Sequence, residues 1–89
     1  TFFLEIPACA SAGAAETFAV RIDGTVIYST SNSDPACNTV GYQLKSIPVP
    51  AAFANGASHT LEFRGTFNAD DTGAVTNFFV DDVRLVSCP

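Results

Sequence analysis

The sequence predicts an all-β protein, an antiparallel sandwich or barrel of about six strands. Three observations carry that prediction. Short runs rich in Val, Ile, Phe, Tyr and Thr alternate apolar with polar residues. Turn-forming residues separate these runs at short intervals. Helical periodicity is absent at useful length.

The elements follow in order. Phe2, Leu4 and Ile6 alternate with Phe3 and Glu5, and Pro7 ends this first strand. Ala8 to Ala15 is a small, polar loop holding Cys9. Phe18, Val20 and Ile22 alternate with Thr17, Ala19 and Arg21 in a second strand. Asp23-Gly24 then supplies the positive-φ residues of a tight hairpin turn. Thr25 to Thr30 is a third strand. Ser31 to Gly41 is a turn-rich loop holding Cys37. Tyr42 to Val49 reads as a fourth strand, placed at an edge or a strand end by Pro48 and Pro50. Ala51 to Ala54 is too short for a stable helix, and Asn55-Gly56 closes it. Leu61, Phe63 and Phe67 belong to a fifth strand. Asn68 to Gly73 is an acidic loop, with Asp70 and Asp71 as a weak second cation site or, more simply, a solvated turn.

Thr76 to Val86 reads as the sixth strand. Taken as unbroken, it places Phe79, Asp81, Val83 and Leu85 on one face and Val80, Asp82 and Arg84 on the other. The first face is apolar except for Asp81. A carboxylate facing a core needs an ion, a metal or hydrogen bonds to hold it there. Asp81 is therefore the acid to explain, held either by a cation or by backbone N–H groups, Arg64 or Arg84.

Length and composition set the bounds. The chain has 89 residues, 47% hydrophobic and 15% charged, with a net charge of −5. That suits a single domain with a modest core. The low charged fraction fits a secreted β protein, expected outside the cell or at its surface after removal of a signal segment. The four basic residues are scattered, so no nucleic-acid patch forms. No apolar run approaches the ~20 residues of a membrane helix. The chain starts at Thr1-Phe2-Phe3-Leu4, already within a strand, so a processed product or the C-terminal part of a larger domain is expected.

Cys9, Cys37 and Cys88 lack zinc-site spacing, and the single His59 completes none. Three thiols permit three single pairings. If consecutive strands alternate in direction, Cys9 and Cys37 share one end of the sandwich, which favours their disulfide. Cys88 is then left unpaired or bonded to another chain.

The succession Asp23-Gly24-Thr25-Val26, then Gly56-Ala57-Ser58-His59-Thr60-Leu61-Glu62-Phe63, then Asn77-Phe78-Phe79-Val80-Asp81-Asp82-Val83-Arg84-Leu85 resembles the C-terminal two-thirds of certain jelly-roll modules. These are the galactose-binding-like and carbohydrate-binding-module β-sandwiches of bacterial secreted proteins. The resemblance implies a carbohydrate ligand, with Tyr28 and Tyr42 as ring platforms; packing aromatics are the plainer role for both. It also implies a structural calcium ion on Asp81, completed to six to eight oxygens by backbone carbonyls or the opening strands.

Catalysis finds little support. Asp81 and Asp82 point apart on a strand and make no glycosidase pair. Neither His59 nor Cys37 lies in a nucleophile motif. The expected role is thus a non-enzymatic extracellular binding or adhesion module, with a glycan as the implied ligand. The alternative is a structural subunit of a cell-surface assembly or filament, held by strand exchange with neighbouring chains. The start within a strand, the odd Cys88 and the absence of Trp favour that alternative.

Overall fold

Alternation in the first two strands builds the core. In β1 (Phe2–Ile6) the residues Phe2, Leu4 and Ile6 point one way; in β2 (Thr17–Ile22) Phe18, Val20 and Ile22 do the same. These six are the buried hydrophobic residues among those described. The computed structural model of the chain describes residues 1–9, 16–67 and 76–86. Four further strands flank the first two: β3 (Thr25–Ser31), β4 (Thr39–Lys45), β5 (Leu61–Thr66) and β6 (Phe79–Asp81). A 3₁₀ turn spans Ala51–Phe53.

The strands form two three-stranded antiparallel sheets, ordered β4-β1-β6 and β3-β2-β5. The all-β sandwich expected from the sequence is what the chain adopts. Only β2 and β3 form a hairpin; the other consecutive strands cross from one sheet to the other. Aromatic rings join the two layers. The Phe2 ring meets Phe63 and Tyr28 edge-on at 5.5 and 5.7 Å, and Phe18 stacks on Phe63 at 6.1 Å and on Phe78 at 5.4 Å.

Local chemistry explains the turns and ends. The hairpin turn has Asp23 at φ 49° and Gly24 at φ 85°, the two positive values that a type I′ turn requires. β4 starts at Thr39, earlier than expected, and stops at Lys45, before Pro48 and Pro50, which have no N–H for a ladder. Ile47 and Val49 instead follow the strand into the gap between the sheets. Cys9 and Cys37 are joined by the expected disulfide, closing a separation of 28 residues. Cys88 and the Asp70-Asp71 pair lie outside the described residues.

The sixth strand departs from expectation, and one residue is responsible. Phe3 pairs with Asp81, Leu4 with Val80 and Glu5 with Phe79. Directly opposed residues share a face, so Val80 faces the core with Leu4, while Phe79 and Asp81 face out with Glu5 and Phe3. Asp82 then takes φ 49°, and the next pairing is between Thr1 and Arg84, whose backbones exchange two hydrogen bonds at 2.7 and 2.8 Å. An unbroken ladder would have matched Thr1 with Val83. Asp82 is the extra residue of a bulge, which reverses the side-chain parity beyond it. Val83 and Leu85 turn inward as expected; Phe79 and Asp81 do not.

Among the described residues the buried acid is Glu16, at 1% exposure. It precedes Phe18 by two residues and so shares the inward parity of β2. Its Oε1 accepts the Thr76 N–H at 3.0 Å, its own N–H donates to Asn32 Oδ1 at 3.2 Å, and its carbonyl accepts the Asn32 N–H at 3.0 Å. One residue thus ties the start of β2 to the turn after β3 and to the approach to β6.

Two outcomes follow for stability. Replacing Glu16 with Ala strands the buried Thr76 N–H and costs about 1–3 kcal/mol, whereas Asp81→Ala stays within about 0.5 kcal/mol; urea unfolding of both variants compares them. Asp82→Val forces a β-branched residue into the left-handed region and costs about 1–3 kcal/mol. Asp82→Gly, measured by the same titration, costs far less.

Candidate functional site

The two sheets turn unlike faces outward. On sheet β3-β2-β5 the outward positions are Thr17, Ala19 and Arg21 of β2, with Ser29, Ser31, Glu62, Arg64 and Thr66 opposite them. Arg21 Nη1 meets Glu62 Oε1 at 3.1 Å across this face. It is an ordinary solvated surface. On sheet β4-β1-β6 the register brings Phe3 level with Leu44 and Asp81, and Glu5 level with Phe79. Tyr42, two residues before Leu44, shares their side of β4. Tyr42, Leu44 and Phe79 are each about half exposed, at 46%, 58% and 47%. Three rings, one leucine and two carboxylates therefore occupy one outer face.

Between the sheets, at the end carrying the Asp23-Gly24 turn, lies an apolar cleft of about 350 Å³. Ile22, Ile27, Leu61 and Phe63 form one wall, and Ile47, Val49, Val83 and Leu85 the other. A second, larger hollow of about 750 Å³ continues from it past Ile47, Val49, Phe53 and Leu85. Leu85 faces this gap yet is 85% exposed. The inward parity of these residues is that of a core, but the described residues leave them half covered.

A polar latch closes one rim of the cleft. Asp23 Oδ1 accepts the Thr60 N–H at 2.8 Å, and Asp23 Oδ2 lies 2.6 Å from His59 Nδ1. The Asp23 N–H donates to the Thr60 carbonyl at 3.0 Å. His59 Nε2 lies 2.8 Å from Asn55 Oδ1, which also accepts the Ala57 N–H at 3.1 Å. The His59 ring stands edge-on to Phe53 at 5.6 Å. The latch pins the β2–β3 turn to the start of β5. His59 is a structural clasp here, with no serine or thiol beside it in these contacts.

The residues singled out from sequence separate. Tyr28 faces inward opposite Val20 and packs on Phe2. Burial raises its phenol pKa above the ordinary range, aided by the Asp34 carboxylate. Tyr28 thus packs against the core, and of the two tyrosines Tyr42 keeps its ring on an outer face. Asp81 shares that face with Tyr42. Its Oδ1 accepts the Asp82 N–H at 2.8 Å. Arg84, expected as a possible partner of Asp81, instead donates from Nε to Asp82 Oδ1 at 2.9 Å. Asp81 thus lies outside the core, on the exposed face, because the bulge falls after it. Among the described residues no group of three or more His, Cys, Asp or Glu stands together as a cation cage.

The latch has a pH signature. Asp23 is held below its ordinary pKa, first by the Thr60 N–H and then by the hydrogen bond with His59. A carboxylate with a lowered folded pKa stabilises the fold above its unfolded pKa and loses that contribution as pH falls through the folded value. The stability gap between the native chain and Asp23→Asn is therefore expected to shrink as pH falls below the carboxylate range. Chemical denaturation at several pH values tests it; a constant gap would exclude the charge as the cause.

Comparison with protein families, curated proteins and solved structures finds no match to this chain.

Proposed function

We propose that this chain is a non-enzymatic extracellular binding or adhesion module whose sandwich is completed by a β-segment from outside the described residues. The open cleft carries this reading. Val83, Leu85, Leu61 and Ile47 stand at core-facing positions beside one another, and apolar surface left in water at such positions marks a docking site. The flanking strands add a second reason. Among the described residues, β3, β4, β5 and β6 each pair on one side only, so their free backbone groups can receive another strand. An added strand would present alternate side chains to the cleft and satisfy an edge ladder at once.

This ranks strand completion, as in a cell-surface assembly, ahead of glycan recognition. The carbohydrate reading rests on the resemblance and on Tyr42; Tyr28, its other platform, packs into the core. Extracellular placement is supported by the Cys9–Cys37 disulfide, which persists in oxidising compartments.

The isolated chain is expected to bind a hydrophobic dye such as ANS and to self-associate in native mass spectra. Leu61→Lys with Val83→Lys, placing charge in the cleft, is expected to suppress both signals. A strictly monomeric chain that leaves the dye dark would overturn the proposal.

A further inference from the structure

The outer face of sheet β4-β1-β6 is independent of the cleft, and it has its own chemistry. Its residues form a checkerboard. Phe3 has Asp81 as its cross-strand neighbour, and Glu5 has Phe79, so each carboxylate sits beside a ring. The two carboxylates lie on a diagonal, where Cβ atoms are about 7–8 Å apart. Tyr42 and Leu44 extend the patch along β4. The patch covers roughly 10 Å across three strands by 7 Å along them.

Within this checkerboard the charged side chains are both acids. Glu5 Oε2 accepts the Gly41 N–H at 2.6 Å and Asp81 Oδ1 the Asp82 N–H at 2.8 Å, which leaves the second oxygen of each carboxylate for a ligand. Arg84, which also points outward, is taken up by Asp82 at 2.9 Å. Carboxylates attract a cation, and the negative faces of aromatic rings add to that attraction. A neutral glycan would need donors as well as acceptors, and the donors of this face are the Tyr42 hydroxyl and the Arg84 guanidinium, whose Nε is already held by Asp82.

We propose that this face docks an extended, cationic polypeptide segment, with basic side chains at positions i and i+2 seated on Glu5 and Asp81. Same-side residues of an extended chain repeat every ~6.8 Å, which matches the diagonal between the two acids. The rings of Phe3, Tyr42 and Phe79 cover the stems of those basic side chains and the apolar residues beside them. The partner is a protein segment of the type basic–x–basic, and the net charge of −5 on the chain draws it in.

Calorimetric titration of the full chain with the peptide acetyl-Val-Arg-Val-Arg-Val-amide tests this. The matching Val-Gln-Val-Gln-Val peptide and neutral β-glucan oligosaccharides serve as the other arms. The Arg peptide is expected to bind at least about tenfold more tightly than the Gln peptide, with an advantage that fades as salt rises. Glu5→Gln with Asp81→Asn keeps both backbone acceptors, so the variant should melt as the native chain does while losing that tenfold preference. Phe79→Ala should weaken the Arg peptide severalfold. Equal binding of the two peptides, a preference surviving the double variant, or retention of the oligosaccharides in place of the Arg peptide would overturn the assignment. None of these outcomes bears on the cleft, because its residues are untouched.

Discussion

Contact between two middle strands holds this molecule together. In a three-stranded sheet only the centre strand is covered on both edges, and only its inner face is fully shielded by the opposite layer. β1 and β2 hold those two places, and Phe2, Leu4 and Ile6 meet Phe18 and Val20 there. Everything else is arranged around that contact. The outer strands lend backbone hydrogen bonds and a few rings, and among the described residues they pair on one side only. That is why β4 is almost wholly exposed although Val40, Tyr42 and Leu44 belong to it. The small core and the open cleft are one fact seen from two sides.

Single residues then decide where the remaining side chains go. Asp82 adds one residue to β6 and turns the chain over, so that Val83 and Leu85 reach the gap while Asp81 joins the outer face. Gly65 works more locally. A Cβ there would meet the Phe67 ring at 2.8 Å, so its lack of a side chain makes room for a ring that in turn packs on Phe78. The latch of Asp23, His59 and Thr60 holds the hairpin turn against the start of β5, at the rim where a completing segment would enter. Both surfaces offered for binding therefore depend on small backbone devices more than on the core itself.

The chemistry of the two surfaces differs. The cleft is apolar and flanked by unpaired strand edges, which suits another strand. The outer face of β4-β1-β6 combines rings with carboxylates, which suits cationic side chains. A module with both features would join an assembly through one surface and select a partner through the other. No catalytic group enters either argument.

Much of the fold was legible in the order of residues. Strict alternation in Phe2–Ile6 and Thr17–Ile22 marks the core, because strand parity needs no tertiary information while the strand stays regular. Asp23-Gly24 announces its turn because few other pairs accept two positive φ values. The Cys9–Cys37 bond was the one of three pairings that alternating strand directions favoured, and it is the one formed. Glu16 stands in register with Phe18 and Val20, but it lies before the strand where alternation is no guide, and Asp81 in its apolar run was the acid that parity singled out. What the sequence by itself settled is thus the class of the fold, the alternation of its first two strands and its hairpin. Only the tertiary structure decided which acid is buried, which tyrosine is packed away and which faces share a surface. The reason is physical: parity is local, but a one-residue bulge and the choice of neighbouring strand are set by backbone pairing between segments far apart in the chain.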